Sequence, residues 1–387
     1  MDFNLNEDDR AFAESARTLF SGHCDDDALR AHDLSGAPYM QALWPACIEM
    51  GLHSVLLPES TGGMGLGMTA LLGVLEAQGA ALALVPLWQH QLAAAAIARF
   101  GTPALQAKLL PGSLQGSVML TTSLNALADA RGASLQLTRT AKGWQLDGHV
   151  AAVPYGDVAH SALLAAQGED GPRLVVIELN QAKRQTGLDE HHLGVADVGF
   201  KNLALTADAV LAPDAHAWLE PRAIACLAAL QLGVTGEQLR RTVQYVSARK
   251  QFDRPIGSFQ LVAGGLADAK IALETLRSAV WQLFYRLDAG LGALPQALAV
   301  RAQACDLAHT AGHKAQHVHG GMGVDVSYPM HRFLYWSRAL ASELGGPEQH
   351  LARLGDWLAE HSELGWKYNL PEDSGTQTAA VRSEEHA

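Results

Sequence analysis

Apolar residues recur at helical spacing near both ends of the chain and alternate with polar residues in its middle. Near the N-terminus, Phe12, Ala16 and Leu19 follow one another at intervals of three and four residues, and a similar pattern runs over residues 68–84. Apolar side chains at such intervals fall on one face of an α-helix. The pattern therefore predicts a helical region over residues 1–117, with glycines and prolines between its helices.

From Ser117 to about Pro213 the pattern changes to short runs in which apolar and polar residues alternate. These runs are Leu135–Thr138, Trp144–Gly148, Leu174–Leu179 and Phe200–Leu205. Alternation at every second residue, with turn residues between the runs, is typical of strands that bury one face. We therefore predict a small antiparallel β domain in the middle of the chain.

Long amphipathic helices return after Trp218, where alanine and leucine dominate. The predicted helices are 219–250, 258–289, 294–317, 328–343 and 347–361. The predicted fold class is α+β, with a helical domain, a β domain, a four- or five-helix bundle and a polar tail. The corresponding boundaries are 1–117, 118–215, 216–365 and 366–387.

Composition narrows the classes of function. The net charge of −12 and the lack of a long basic run argue against nucleic acid or an anionic membrane as the partner. No apolar run is long enough to span a membrane, and the acidic N-terminus is not typical of a targeting segment. The cysteines are widely spaced, which predicts reduced, buried thiols in a cytoplasmic protein. His191, His192, His317 and His319 lack further ligands at metal-binding spacing, so no metal site is predicted.

Two segments carry the most specific signal, RKQFDRPIGSFQ at Arg249–Gln260 and HGGMG at His319–Gly323. They resemble the flavin-clamping segments of the acyl-CoA dehydrogenases. Tyr328-Pro329 with Arg332, and Pro58-Glu59 with the Gly62–Gly65 run, extend the match. The resemblance covers residues 1 to about 362. It implies that family's layout of helical domain, β domain and helical bundle, with FAD as cofactor and an acyl-CoA thioester as substrate.

Asp253-Arg254-Pro255 would break the preceding helix, which predicts an exposed helix–turn–helix junction in the first segment. The side chains of these two segments suit the ADP half of FAD. Arg249 offers a planar fork of donors for phosphate oxygens, and glycine lets backbone approach a ligand closely. The resemblance implies that both segments reach across a dimer interface onto the neighbour's FAD. The implied cofactor-binding residues are Arg249, Gln251, Phe252, Ile256, Phe259, Gln260, His317, Gly320 and Gly321. Taken singly, Arg249 could instead pair with a helix carboxylate, and the glycines could form only a turn.

The flavin-ring pocket of the family is altered in this sequence. The loop that contacts the ring corresponds to Thr122–Asp129, where Asn125 and Leu127 replace glycines and Ala128 replaces a serine. Leu127 brings bulk to a place where backbone approaches the ring. The resemblance therefore implies that this chain has lost part of its own pocket.

A second element of the ring pocket is altered as well. Ala152 stands at the place of a tryptophan that packs on the flavin, and Pro154 at the place of a threonine. An aromatic plane and a hydroxyl donor are both missing. The alternative is that Tyr155 compensates for the missing ring.

The catalytic base of the family is also replaced. Removal of the α-proton of a thioester needs a carboxylate with a raised pKa, yet the three places where branches of the family carry it hold Leu344, Ala223 and Leu230. Glu343 could serve only if its loop shifts by one residue, and a solvated helix end is the simpler interpretation. We therefore predict no catalytic base, with Glu343 as the remaining candidate.

Two other glutamates, Glu220 and Glu237, are interpreted as surface residues. There is no nucleophilic triad pattern and no dinucleotide fingerprint after a strand.

Three functions remain open. The chain could be a subunit of a heteromeric acyl-CoA dehydrogenase, an active homomeric enzyme with a displaced base, or a non-enzymatic acyl-CoA-binding or scaffold protein. The first explains a retained clamp together with an altered pocket. It is similar to the flavin-poor subunit of steroid-degrading α2β2 enzymes, with a homologous partner, a hypothetical steroid-derived substrate and an electron-transferring flavoprotein by family analogy.

Overall fold

The computed structural model describes residues 7–128 and 134–361, so the predicted polar tail lies outside the described residues. The N-terminal region is helical, as its pattern predicts. Its helices are α1 (Glu7–His23), α2 (Asp26–Ser35), α3 (Leu43–Glu49), α4 (Met68–Ala81), α5 (Leu87–Phe100) and α6 (Pro103–Leu114). Side-chain caps begin two of these helices, because Asp25 accepts a hydrogen bond from Ala28 N and Thr102 from Leu105 N.

A seven-stranded sheet follows, with the short helix α7 (Asn125–Ala128) after its first strand. The strands are β1 (Leu120–Ser123), β2 (Leu135–Thr140), β3 (Gly143–Pro154), β4 (Ser161–Gly168), β5 (Gly171–Glu178), β6 (Lys183–Leu188) and β7 (Gly194–Leu205). The strand order is β1-β4-β2-β3-β7-β6, with β5 paired to β4.

Most pairings in this sheet are antiparallel, but β1–β4 and β2–β4 run parallel. The expectation of an antiparallel domain is wrong for these two pairs. Alternation along a strand reports which face is buried and says nothing about the direction of the neighbouring strand. The β2–β3 hairpin separates β1 from β4 along the chain, so the chain returns to β1 in the same direction.

The C-terminal region contains the five predicted helices and one further short helix, α11. They are α8 (Ala215–Ala248), α9 (Gln260–Asp288), α10 (Leu294–His319), α11 (Gly321–Val324), α12 (Met330–Ser342) and α13 (Pro347–Glu360). The largest deviation from prediction is at the start of α8, which begins before residue 219. Ala215 and Leu219 are both fully buried, so the extra turn continues the buried face of the helix.

The N-terminal and C-terminal helices share one core, and α4 packs tightly on α8. A Cβ atom on Gly79 would lie 2.2 Å from the Leu230 carbonyl oxygen, and one on Gly233 would lie 2.0 Å from that of Glu76. Only glycine permits such contact between helix backbones. Asp288 at the end of α9 accepts hydrogen bonds from Met68 N at 2.6 Å and Thr69 N at 2.9 Å, which caps α4.

Candidate functional site

A short hairpin separates α8 from α9 and carries the first clamp segment. Strand β8 (Lys250–Gln251) pairs with β9 (Arg254–Pro255), and the two turn residues Phe252 and Asp253 have φ of 52° and 63°. Two consecutive residues with positive φ are what a type I′ turn requires, and this turn matches the twist of a hairpin. The sequence predicts an exposed helix–turn–helix junction here, and the structure places a hairpin at that junction.

The side chains of this hairpin face outward. Phe252 is 87% exposed, with its ring edge-on to that of Phe259 at a centroid distance of 6.2 Å. The Arg254 guanidinium lies over the Phe259 ring at 4.2 Å, within cation–π range. Arg249 is exposed, and no described carboxylate forms an ion pair with it. The alternative of an Arg249 pair with a helix carboxylate therefore finds no support.

The other predicted clamp side chains of this segment differ in exposure. Gln251 and Gln260 are exposed, whereas Ile256 and Phe259 are partly buried. The Gln251 amide donates a hydrogen bond to the Lys250 carbonyl at 2.8 Å. An apolar surface with amides at its edge thus lies on the outside of this chain.

The second clamp segment follows the end of α10. Gly320 has φ 59° and ψ −136°, a backbone conformation that favours glycine. His317 is exposed, together with Gly320 and Gly321. Gln316 instead lies beneath the turn, since a Cβ atom on Gly323 would lie 2.2 Å from its Oε1. His317 is therefore the side chain that this helix end presents outward.

The altered ring-pocket loop is hydrogen-bonded to a place of the family's base. Asn125, at the place of the first family glycine, accepts a hydrogen bond from the backbone N–H of Leu344 at 3.3 Å. Leu344 stands at a place of the family's base and has φ 57°. Leu127 is partly buried against the core. Asp129 and the side chain of Ala128 lie outside the described residues.

The second altered element is closed by internal hydrogen bonds. The N–H of Ala152 donates to Asp197 at 2.8 Å, and the carbonyl of Pro154 accepts from the Thr121 hydroxyl at 2.6 Å. Tyr155 is 2% exposed and packs edge-on against Tyr39 at 6.2 Å. Burial, aided by the nearby Glu343, raises the pKa of Tyr155. The Tyr155 ring is a core residue and presents no open face that could replace the missing aromatic plane.

The loop after α12 is held by two buried side chains that sequence reasoning missed. Arg301 donates to the carbonyl oxygens of Leu340 at 2.8 Å and of Glu343, and His350 Nε2 lies 2.8 Å from the Leu344 carbonyl oxygen. An arginine within the apolar face of a helical pattern was the available signal, since a buried guanidinium needs acceptors. These bonds fix the loop in which most of the family carries its base.

The three base places are apolar and buried. Leu344 is 7% exposed, Leu230 packs against Gly79 as described above, and Ala223 is fully buried. None of them can accept a proton.

Glu343 differs from the expected solvated helix end. Its side chain is partly buried, and burial raises its pKa from 4.5 to about 7, while His191 and Arg301 oppose that rise. The position therefore holds a carboxyl group that is easily protonated.

Glu220 and Glu237 are also less exposed than expected, because each is held by arginines. Glu220 is 13% exposed and pairs with Arg353 at 2.5 and 3.0 Å, whereas Glu237 pairs with Arg240 and Arg241. Burial opposes ionisation of Glu220, but Arg353 holds its pKa below the usual value. The interpretation of these two residues as ordinary surface glutamates is wrong, and both are structural ion pairs.

Comparison with known proteins agrees with this geometry. The family model of the acyl-CoA dehydrogenase N-terminal domain matches residues 6–117, and that of the C-terminal domain matches residues 223–359. FadE27, an acyl-CoA dehydrogenase of Mycobacterium tuberculosis, is 33% identical over 376 residues, which cover 93% of this chain and 99% of FadE27. The chain belongs to the acyl-CoA dehydrogenase family.

Two solved structures are similar over nearly the whole chain. A chain of the ChsE4-ChsE5 complex from M. tuberculosis has a TM-score of 0.87 and 31% identity, covering 93% of this chain and 99% of its own. A chain of the Tcur3481-Tcur3483 steroid ACAD has a TM-score of 0.86 and 35% identity, covering 92% and 99%. The fold is thus the acyl-CoA dehydrogenase fold, and the family's activity is that of an oxidoreductase.

Metal binding, a membrane-spanning helix and thiol chemistry find no support among the described residues. Within residues 7–128 and 134–361 no group of three or more histidine, cysteine or acidic side chains is placed to hold a metal, and no helix is long and apolar enough to cross a membrane. All four cysteines are buried and unpaired, and burial raises the pKa of Cys24 and Cys47 to about 12. Such thiols are poor nucleophiles.

Proposed function

We propose that this chain is the subunit of an FAD-dependent acyl-CoA dehydrogenase that does not carry the base. In this proposal it contributes its clamp to FAD held mainly by a homologous partner chain. The observation that carries the proposal is a contrast within one molecule. The clamp segments lie at the surface, whereas Asn125 of the ring-pocket loop is hydrogen-bonded to the place of the base, and Tyr155, which could have replaced the missing ring, is buried in the core.

The exposed clamp fits the ADP half of FAD. Its pyrophosphate carries negative charge. The Arg249 guanidinium, which forms no ion pair with a described carboxylate, and the amides of Gln251 and Gln260 are suitable donors. Phe252 and the partly buried Ile256 offer apolar contact for adenine. Phe252 contacts the partly buried Phe259, so the hairpin presents an apolar surface patch, and such patches can mark binding sites.

The flavin-ring half does not fit this chain. The hydrogen bond between Asn125 and Leu344 N joins two elements that in the family face the ring and the substrate. Tyr155 is buried and the base places are apolar. When bound, FAD supplies the oxidant for desaturation of the thioester, and in this proposal the partner chain provides both the ring site and the base.

The partner and substrate follow from the same reasoning. Two similar structures are named as pairs of proteins, and one of them is a steroid ACAD. These neighbours support an unlike acyl-CoA dehydrogenase chain as the partner in an α2β2 assembly, and a steroid-derived acyl-CoA as the substrate. An electron-transferring flavoprotein as the electron acceptor rests on family resemblance alone.

One observation favours a second candidate, an active homomeric enzyme with Glu343 as its base. A carboxyl group whose pKa is raised to about 7 suits proton abstraction near neutral pH. Against it, Glu343 lies one residue from the family's base place, in a loop whose carbonyl oxygens bind Arg301 and His350.

Substitution of Glu343 in this chain, and of the catalytic glutamate in the partner chain, distinguishes the heteromeric candidate from the homomeric one. This chain is co-expressed with an acyl-CoA dehydrogenase chain from the same genome, and reduction of an electron acceptor is followed with acyl-CoA thioesters, both steroid-type and short straight-chain. We expect Glu343→Gln to leave turnover within about twofold, while replacement of the partner's catalytic glutamate lowers it at least about a hundredfold. A hundredfold loss in Glu343→Gln would instead support the homomeric candidate.

A further inference from the structure

A stack of three aromatic rings lies directly beneath the clamp. His319, the last residue of α10, is buried, and its ring stacks on that of Tyr245 with a centroid distance of 4.3 Å and an interplanar angle of 21°. The Tyr328 ring also contacts that of His319, tilted by 44° at a centroid distance of 5.6 Å. We call Tyr245, His319 and Tyr328 the ring stack.

The ring stack joins the two clamp segments, which are far apart in sequence. Tyr245 lies in the last turn of α8, four residues before Arg249, and its backbone carbonyl accepts the hydrogen bond from Arg249 N at 2.8 Å that ends the helix where the hairpin begins. His319 immediately precedes Gly320 at the start of the glycine turn. The Tyr245 hydroxyl also lies 3.9 Å from the sulfur of Met322, within that turn.

A hydrogen bond to the preceding turn of α10 fixes the orientation of the His319 ring. His319 Nδ1 lies 2.8 Å from the Ala315 carbonyl oxygen, one helical turn earlier. Since a carbonyl only accepts, Nδ1 carries the proton, and burial lowers the pKa of His319 so that the ring stays neutral. The neutral, buried imidazole is thus the ring that contacts both tyrosines.

We infer that the ring stack sets the distance and angle between the Arg249 hairpin and the glycine turn, and that Tyr245, His319 and Tyr328 are positioning residues of the clamp. A clamp made of two segments binds one ligand well only if the segments are held in the right relative position before binding. This inference rests on the proposed function. Neither the stack nor its residues touch the reacting atoms.

The first arm of the test needs neither FAD nor a partner. Deuterium exchange is measured on the isolated full-length chain for the wild type, Tyr245→Leu and Tyr245→Phe. Aromatic pairs contribute up to about one and a half kcal/mol, so we expect Tyr245→Leu to speed exchange of the Gly320–Val326 amides by about tenfold. Tyr245→Phe retains the ring and loses only the weak contact with sulfur, so its exchange should match the wild type.

The second arm measures FAD retained by the co-purified pair of chains after gel filtration. Tyr245→Leu and Tyr328→Leu should each lower the affinity of the pair for FAD about tenfold, so less FAD should be retained. Tyr245→Phe should retain as much FAD as the wild type. Tyr285→Leu, at an exposed tyrosine of α9, is the matched control and should change neither readout. Tyr328→Leu tests the same link from the other side if Tyr245→Leu folds poorly.

The outcomes separate the inference from the proposed function. Wild-type exchange and wild-type FAD retention in both leucine variants would overturn the inference. Equal loss in the leucine and phenylalanine variants would also overturn it, because the ring would then be irrelevant. A wild-type pair that holds no FAD would contradict the proposed function, while the exchange arm would still decide whether the stack positions the glycine turn.

Discussion

The two halves of the family's FAD site are in opposite states in this chain. The clamp side chains around Arg249 and Phe252 are exposed and contribute little to the chain's own core. The altered ring-pocket residue Asn125 is instead hydrogen-bonded to Leu344 N, and Tyr155 beside the second altered element is buried in the core. In the proposed function the ring-pocket loop no longer contacts a flavin, and its polar groups are instead satisfied within the chain. A surface clamp can persist independently of that change, since it lies on a hairpin and a helix end.

The largest expected effect comes from Arg249→Ala, which removes a charged side chain from the exposed clamp. Loss of a charge-assisted contact to phosphate should weaken FAD binding by the pair of chains about 10- to 100-fold. The measurement is titration of the FAD-free pair with FAD. Arg17→Ala, at an exposed arginine of α1, is the control and should leave binding unchanged. Equal affinities in both variants would place the phosphates elsewhere.

Phe252→Ser tests whether the exposed hairpin is covered by the partner. The side chain makes little contact within its own chain, so the free energy of unfolding should change by less than about 0.5 kcal/mol. Association with the partner should weaken about tenfold, as expected for a buried aromatic anchor. Sedimentation measures both species, and Leu34→Ser, at a 79% exposed leucine of α2, is the matched control. Unchanged association would show that this surface lies outside the interface.

Glu343→Gln tests how the partly buried carboxyl group beside the base place affects the pH dependence of folding stability. The pKa of Glu343 in the folded chain is about 7, above its usual 4.5, so the folded state binds the proton more tightly than the unfolded state. The resulting stability is fully present below pH 4.5 and is lost as pH rises through about 7.

Thermal melts across this pH range provide the measurement for Glu343→Gln. The variant should flatten the fall in stability between these pH values and gain about 1 kcal/mol or more over the wild type at pH 8. Glu348→Gln, at an exposed glutamate of α13, serves as the control. If the stability of Glu343→Gln fell with pH as much as that of the wild type, other groups would be responsible for the pH dependence.

The smallest effect is expected for Asn125→Gly, which restores the family's residue in the ring-pocket loop. Loss of the hydrogen bond to Leu344 N should cost about 1 kcal/mol of unfolding free energy. Asn125→Ala removes the same bond with less backbone freedom and is the matched control. The lone chain should still bind no FAD, because Tyr155 and Leu344 are unchanged. Recovery of FAD binding in Asn125→Gly would mean that one residue closes the pocket.

Much of the fold could be predicted from the sequence because its signals are local. Helical spacing gave α1, α4 and the long C-terminal helices, and alternation located several strands. The parallel pairing of β1 with β4 could not be predicted, because strand direction depends on the path of the chain between them.

For the candidate site, exposure of the hairpin followed from the helix-breaking sequence at Asp253–Pro255. The bond between Asn125 and Leu344, 219 residues apart, and the ion pair between Glu220 and Arg353, 133 residues apart, depend on tertiary packing. Spacing along the sequence carries no information on such contacts. For this reason the sequence indicated which pocket residues were altered but could not show which groups they bond in the folded chain.

The central claim is that the clamp of this chain serves FAD bound mainly by another chain. The most direct measurement is the flavin absorbance of the protein purified alone and purified with its partner. We expect no flavin in the lone protein and about one FAD per pair of unlike chains in the complex. One FAD per chain in the lone protein, with its absorbance bleached by an acyl-CoA, would contradict it.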